Sequence, residues 1–363
     1  MKNFFTFENL GGDYPALNRD LMDGLPAAAF GLSDAQKYLI ASAIKGKVVY
    51  LAADALSAQS AMQAISTLSG KKCALLAAKD EVLTYRKALS KDALFRRLSA
   101  LYDFLSGAEV LVLDVEAAIQ LVPRILPVFH IEEGSDIEMA KLISALVGAG
   151  YTREYTVESK GAFAVRGDIL DIYPINCDHP VRIDFFGDEV EAIKPYDEIT
   201  GERLARVFEL DIVSATDVVP KAGDFERVKA ALAAELKRAP NAAAYTRMKS
   251  ISDEILSAES LSSDYVLPLL ENSCPLFTLL PKDTLLIYDE CKLIHDKLDG
   301  LYKEHGERYV ALREGGEAMS FSLEQYVPEE DFLRSLGAFR SLALQTFTGN
   351  TYFFNPLKIY NFP

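Results

Sequence analysis

The sequence is short of the residues that build disulfide frameworks and metal sites. Its 363 residues include four cysteines (Cys73, Cys177, Cys274, Cys291) and four histidines, all scattered, with no C-x-x-C pair. That spacing predicts reduced, buried thiols and argues against a disulfide framework or a structural metal site. Positive charge is also in deficit. The 38 lysines and arginines stand against 53 aspartates and glutamates, a net charge of −15. Broad nonspecific binding to nucleic acid or an anionic membrane needs a cationic surface, so the balance argues against it. Protein and small-molecule partners remain open. Long hydrophobic runs are missing too: no uncharged apolar stretch reaches the ~18 residues of a membrane span. The N-terminal MKNFFTFENLGGDY has only a short aromatic cluster ahead of acids and glycines, which does not read as a signal peptide. A cytoplasmic location is expected.

What is present suffices for two or three domains of ~100–200 residues each. Residues 31–120 alternate between two periods. KVVYLAA (47–53), CALLAA (73–78) and EVLVLDV (109–115) read as short buried strands. Between them, 54–69 has helical spacing ending at Gly70. The stretch 80–106 places Val82, Tyr85, Leu89, Phe95, Leu98, Leu101 and Leu105 near a 3.6 period, with Gly107 as its stop. Strand and helix in alternation predict a parallel sheet with crossover helices.

Pro123 and Pro127 break the pattern. VFHIEEG and an apolar helix near 136–149 follow. The chain then turns strand-rich to about 213, through YTVES, GAFAVRGDILDIYP, PVRIDFFGDEVEAI and FELDIVS. Helical spacing returns at DFERVKAALAAELKRA, from 224. TLLIYDE (284–290) reads as one more buried strand, and 340–363 as an aromatic, irregular tail. The simplest architecture is an α/β domain interrupted by a β-rich insert and completed by the last third of the chain.

Two fragments touch nucleotide chemistry. GLSDAQKY (31–38) matches the phosphate-loop pattern G-x-x-x-x-G-K-[ST] at Gly31 and Lys37 only. Gln36 replaces the second glycine, whose lack of a side chain lets backbone N–H groups approach phosphate. Tyr38 replaces the short hydroxyl that would ligate magnesium. Taken alone, the stretch reads as a helix N-terminus capped by Ser33 or Asp34. LLIYDE delivers Asp289 and Glu290 to a strand end, the Walker B arrangement that orients magnesium and positions water in a working NTPase. Acids at strand ends are common, so neither fragment decides the matter.

The strand-rich segment is more specific. GAFAVRGDILDIYP (161–174) and PVRIDFFGDEVEAIKPYDEITGE (180–202) combine four pieces. These are an aromatic-x-x-Arg-Gly-Asp strand, an Asp-Ile-Tyr-Pro strand end, an Arg-Ile-Asp-Phe-Phe-Gly-Asp-Glu hairpin and a Tyr-Asp-x-x-Thr-Gly-Glu turn. Together they resemble the central domain shared by the excision-repair protein UvrB and the transcription-repair coupling factor family (Mfd). The resemblance runs more weakly through the first 126 residues and through about 215–363. UvrB keeps an intact phosphate loop and carries a Tyr-rich DNA-inserting hairpin before its central domain; VEAAIQLVPRILPVFHIEEG leaves no room for one. The coupling factors have the same module with a degenerate loop and no hairpin, which GLSDAQKY fits.

The resemblance implies a degenerate P-loop helicase-like (RecA-like) parallel-sheet domain split by a β-rich α+β insert, the UvrB-like order 1a-2-1b. The implied boundaries are 1–126, 127–215 and 216–363. It implies an N-terminal module of a longer protein, with no catalysis and no cofactor of its own, ATP and magnesium serving motor domains elsewhere. The module would recruit UvrA, linking removal of stalled RNA polymerase to nucleotide excision repair. RNA polymerase and DNA would be met through other domains, and a C-terminal domain of the same protein would cover the docking face at rest. The alternatives are a UvrB-type nucleotide-dependent repair factor and a structural scaffold shielding the motor.

In Val181–Phe186, alternation puts Val181, Ile183 and Phe185 on a core face and Arg182, Asp184 and Phe186 on the other. An aromatic beside arginine on a polar face fits an interface anchor. It also fits a solvated face on which Arg166 and Arg182 pair with Asp168, Asp171 or Asp184. The resemblance assigns Arg166, Arg182 and Phe186 to UvrA contact, and Gly31, Lys37, Asp289 and Glu290 to an inactive nucleotide site. The Arg-Gly-Asp tripeptide at 166–168 is read as lying inside a strand, not as an adhesion ligand.

Overall fold

A computed structural model describes residues 7, 12–86, 91–257 and 261–362. The first part of the chain supplies strands β1 (Ala27–Phe30), β2 (Val48–Ala52), β3 (Cys73–Leu76), β4 (Val110–Asp114) and β5 (Leu121–Pro123). The middle supplies β6 (Val128–Glu132), β7 (Thr152–Arg153), β8 (Ala162–Arg166), β9 (Ile169–Ile172), β10 (Val181–Phe186), β11 (Glu189–Pro195) and β12 (Glu209–Val213). The last part supplies β13 (Ser273–Pro275), β14 (Leu285–Asp289), β15 (Arg340–Leu344) and β16 (Lys358–Asn361).

Seven strands form one sheet in the order β16-β1-β15-β14-β2-β4-β3, every neighbouring pair parallel. Four come from before the β-rich segment and three from after it. The parallel-sheet α/β core is therefore built from both flanks of the insert. β2 and β4 are buried at every position, which is why they read as unbroken apolar runs. Alternate side chains serve opposite faces. Val49, Leu51, Leu111, Leu113, Leu286 and Tyr288 lie in one core, and Val48, Tyr50, Val110, Val112, Leu285 and Ile287 in the other.

Ten α-helices among the described residues cover this scaffold: α1 (Tyr14–Met22), α2 (Asp34–Ala43), α3 (Ala55–Ser69), α4 (Lys91–Ser106), α5 (Val115–Ile119), α6 (Met139–Gly148), α7 (Asp224–Lys237), α8 (Ala242–Ser257), α9 (Cys291–Gly315) and α10 (Glu329–Leu336). The middle segment folds as a five-stranded sheet, β11-β10-β9-β8-β7, beside the antiparallel pair β6–β12. Its core includes Phe163, Leu170, Ile172, Ile183 and Phe185, closed by Phe95 and Leu98 from α4. The same helix sends Ala100, Leu101 and Phe104 into the α/β core. One helix is thus shared by two cores. It is locked by buried Arg97, whose Nη1 donates to the Ala77 carbonyl at 2.7 Å. A fourth cluster gathers α7 and α8 around Tyr265, Met319 and Phe321.

Several sequence expectations need correction. The helix read over 80–106 begins only at Lys91; 81–86 is turn and coil. Glu81 is left-handed at φ 56°, Val82 drops into the α/β core and Tyr85 packs against the fourth cluster, so their three-residue spacing mimics a helix. Leu89 lies outside the described residues, as does most of the N-terminal stretch. YTVES (155–159) is not a strand; pairing stops at Arg153 and Tyr155 is exposed. The tail 340–363 is not irregular throughout: β15 sits between β1 and β14, and β16 forms an edge of the sheet. Arg-Gly-Asp does not lie inside a strand, because Arg166 ends β8 and Gly167 (φ 60°) turns the chain into β9. Of the thiols, Cys274 and Cys291 are buried and Cys73 and Cys177 only partly so.

The approach of the insert to α4 depends on Gly161. Its φ is 82°, and a Cβ there would stand 2.6 Å from Phe95 Cζ. Gly161→Ala is expected to destabilise by at least ~1–2 kcal/mol from left-handed backbone strain alone. Urea denaturation measures it; a change within ~0.5 kcal/mol, as for an ordinary surface substitution, would contradict the packing argument.

Candidate functional site

The C-terminal edge of a parallel sheet is where α/β folds place ligands, and the two nucleotide-like fragments meet there. Gly31 follows β1, with Lys37 one turn into α2. Asp289 ends β14 and Glu290 precedes α9. Lys37 Nζ lies 2.6 Å from Glu290 Oε1, 3.0 Å from Asp289 Oδ1 and 3.2 Å from Asp34 Oδ1. The lysine is buried. Burial opposes its charge, but Asp289 and Glu290 outweigh that and raise its pKa. Burial raises the pKa of Asp289, against the pull of Lys37. The same Glu290 oxygen accepts from Thr346 N–H at 2.7 Å and Thr346 Oγ1 at 2.6 Å. The cation that would meet phosphate is thus held by the protein's own acids.

The other loop positions also have local partners. Gln36 Oε1 accepts from the Ser33 backbone N–H at 2.9 Å and the Ser33 hydroxyl at 2.8 Å, tying off the start of α2. Gly31 has φ 78°, and a Cβ there would stand 2.0 Å from the Phe362 carbonyl oxygen. This glycine is required by the chain after β16, whose Phe362 N–H donates to the Phe30 carbonyl at 2.9 Å. A cavity of about 460 Å³ remains beside the ion pairs, walled by Leu293, Phe347 and Tyr352.

The outward face of the five-stranded sheet carries the second set of residues. Arg182 makes a bidentate pair with Asp171 on β9, at 2.7 and 2.9 Å. Asp171 is buried beneath it, and that hydrogen bond raises the Arg182 pKa. The Arg182 guanidinium also lies 6.0 Å from the Tyr196 ring centre. Lys194 closes on Asp184 at 2.5 Å. Arg166 Nη2 donates to the Tyr155 carbonyl at 2.8 Å, with its guanidinium 5.3 Å from the Tyr155 ring centre. Phe186, at the end of β10, is 78% exposed. Alternation along β10 runs unbroken, so Phe185 lies in the core while Phe186 points out; the register shift between Asp184 and Phe185 is taken up on β11, where Glu191 is skipped.

The adjoining turn is built on Asp197, whose Oδ1 accepts from Ile199 N–H, Thr200 N–H and Thr200 Oγ1 at 2.7–3.0 Å. His179, Asp197 and Glu198 bring potential metal-ligand atoms within 4.8 Å of one another. The Asp197 bonds and the 3.3 Å His179–Glu198 contact account for the grouping as a turn device.

Comparison with known proteins agrees with this geometry. A family model described as the UvrB interaction domain matches residues 129–217. The transcription-repair-coupling factor of Bacillus subtilis (strain 168) is 29% identical, over 91% of this chain and 30% of that protein. That of Myxococcus xanthus is 33% identical, over 54% of this chain and 17% of that protein. UvrABC system protein B of Thermosynechococcus vestitus is 41% identical, over 29% of this chain and 15% of that protein. The chain spans about a third or less of the length of these relatives.

Arg166, Arg182 and Phe186 all lie within the residues that match the UvrB interaction domain model, and Gly31, Lys37, Asp289 and Glu290 converge at the sheet edge. Sequence reasoning missed Tyr155, Thr346 and Phe362, which complete the two sites. No periodicity marks them, because their partners are distant in the chain or carried on loops.

Lys37→Met leaves Asp34, Asp289 and Glu290 without their shared cation, the buried Asp289 most affected by the loss. Breaking a buried pair predicts a loss of ~3–5 kcal/mol near neutral pH. Without Lys37 the Asp289 pKa rises further. The native state then binds a proton that the unfolded chain does not, so the variant regains stability as pH falls toward the carboxylate range. Urea titrations at about pH 8 and about pH 5.5 check the magnitude and the sign; a loss independent of pH would refute this account.

Proposed function

We propose that this chain is the UvrA-recruiting module of a transcription-repair coupling factor, linking removal of stalled RNA polymerase to nucleotide excision repair. The observation that carries the reading is the outward face of the UvrB interaction domain, where exposed Phe186 stands beside a rigid charged sheet. Exposed aromatics next to arginine have the chemistry of interface anchors. We assign the docking role to residues 127–215, with Phe186 and Arg166 as contacts. Arg182 has a double role: it holds buried Asp171 and presents the rest of its guanidinium to the partner. The mechanism is recruitment, and the module catalyses nothing. In the longer protein, working in the cytoplasm, the face is covered at rest by a C-terminal domain and exposed by a population shift. RNA polymerase and DNA are engaged through motor domains that use ATP and magnesium.

Titration with UvrA tests the reading. Phe186→Ala is expected to weaken binding by ~2 kcal/mol or more, the scale of a hot-spot truncation, without loss of stability, because its ring is exposed. Arg166→Ala is expected to weaken binding too. Arg182→Ala is expected to do both, costing ~1–3 kcal/mol of stability by leaving a buried acceptor unsatisfied. No binding by folded wild-type protein would favour the scaffold alternative.

The UvrB-type nucleotide-dependent alternative makes the opposite prediction at the sheet edge. With Lys37 neutralised and Gln36 and Tyr38 in the loop, no saturable Mg·ATP binding is expected by calorimetry. Saturable binding abolished by Lys37→Met in folded protein would reverse that conclusion.

A further inference from the structure

The outward face of the five-stranded sheet holds its cations in two ways. Arg182 closes on Asp171 and Lys194 on Asp184, so each meets a carboxylate of the protein itself. Arg166, exposed at the end of β8, instead donates from Nη2 to the Tyr155 carbonyl at 2.8 Å and lies 5.3 Å from the centre of the Tyr155 ring. Acids are at hand in the chain: Glu154 adjoins Tyr155, and Asp168 lies in the turn after Arg166. Among the described residues neither pairs with Arg166, and Glu158 takes the Thr156 hydroxyl at 2.9 Å. Tyr155 itself is 88% exposed. The chain is still pinned to β8 just before it, where Glu154 N–H donates to the Phe163 carbonyl at 2.8 Å. A ring this exposed adds nothing to a core. Held against an arginine, it is ordered before a partner arrives, which lowers the ordering cost of association.

Strand register places this pair relative to Phe186. Arg166 lies across from Ile169, and Ile169 across from Asp184. The three share a row on the outward face, and Phe186 follows Asp184 on the same face of β10. Strands spaced ~4.8 Å apart put β8 about 10 Å from β10. Tyr155 continues the line of β7, on the far side of β8. Arg166 is therefore flanked by two exposed aromatics, with half-buried Ile169 as the floor between β8 and β10. Glu189 stands across from Phe186 on β11, so the two ends of the row differ in their charged neighbours. We infer that Tyr155 is a second aromatic anchor of this face and the residue that positions Arg166 for the partner. The inference rests on the docking role proposed above. Tyr155 and Arg166 act as one unit. The ring fills an apolar slot on the partner, while the ring and carbonyl fix the guanidinium plane and leave its other edge to an acceptor beside that slot. The partner surface that fits has two apolar slots about 10 Å or more apart, with the acceptor between them. Tyrosine and arginine are the residue types enriched at such anchor positions.

Titration of the whole chain with UvrA is the test, with Phe186→Ala as the reference variant. Tyr155→Ala is expected to weaken binding by about tenfold or more, with an unchanged melting temperature because the ring is exposed. Tyr155→Phe keeps both the ring and the carbonyl, and its binding is expected to stay within about twofold of wild type. Residues that act as one unit give non-additive losses, so Tyr155→Ala is expected to cost much less when Arg166 is already alanine. That coupling separates a positioning role from two independent contacts. The inference is overturned by any of three results: Tyr155→Ala binding as wild type does, Tyr155→Phe binding as weakly as Tyr155→Ala, or losses that simply multiply in the double variant. If Phe186→Ala weakens binding while Tyr155→Ala does not, the docking role stands and this inference alone falls. If wild type does not bind, or Phe186→Ala leaves binding unchanged, the docking role fails and this inference falls with it.

Discussion

The buried cation Lys37 closes a sheet assembled from two distant parts of the chain. It lies on α2, in the first part; Asp289, Glu290 and Thr346 belong to the last. Lys37 and Glu290 are 253 positions apart. Bringing such ends together costs loop-closure entropy, though that cost grows slowly with length. The β2–β14 pairing and the two cores supply most of the compensation. The ion pairs add direction, because a buried ammonium with three carboxylate neighbours admits few alternative arrangements. An apolar replacement could match the stability but not the positional demand. The cation that would meet phosphate in a working relative of this fold is thereby paired with the protein's own acids.

The two sites differ in how their charges are used. At the sheet edge the charges face inward and neutralise one another, with Gly31 pressed against the Phe362 carbonyl. On the UvrB interaction domain the charges are paired along the strands, Arg182 with Asp171 and Lys194 with Asp184, and stiffen an exposed surface. Pairing in that setting limits side-chain freedom before a partner arrives, which reduces the ordering cost of association. Phe186 needs no pairing: strand alternation decides which of two adjacent phenylalanines is buried.

Legibility followed the distance over which each feature is encoded. β2, β4 and β14 were readable as short apolar runs because their burial on both faces is written in consecutive residues, whereas the edge strand β3 is apolar throughout but fully buried only at alternate positions. β1 is alanine-rich and β15 begins with the polar pair Arg340 and Ser341. Each becomes a strand because the other lies beside it, a relation no local window contains. The segment 81–86 failed for a related reason. Val82 and Tyr85, spaced like a helix face, pack into two different clusters just after a left-handed turn at Glu81. On the sheet face, alternation placed Arg182, Asp184 and Phe186 correctly. The pairing of Arg182 with Asp171 was one of several options until strand register selected it.

Register also explains why one arginine can be both structural and available. Asp171 lies directly across from Arg182, so its two carboxylate oxygens take Nε and one terminal nitrogen. The guanidinium retains its other terminal nitrogen, and the side chain remains about a third exposed. A bidentate pair fixes the plane of the group, and so the direction in which that free edge points. Arg166 is held differently, by a backbone carbonyl and an aromatic ring, and leaves no buried acid behind when removed. Binding loss at Arg166 therefore reports on the interface alone, whereas binding loss at Arg182 mixes lost contact with a loosened sheet. A partner that reads this face reads a geometry the strands have already set.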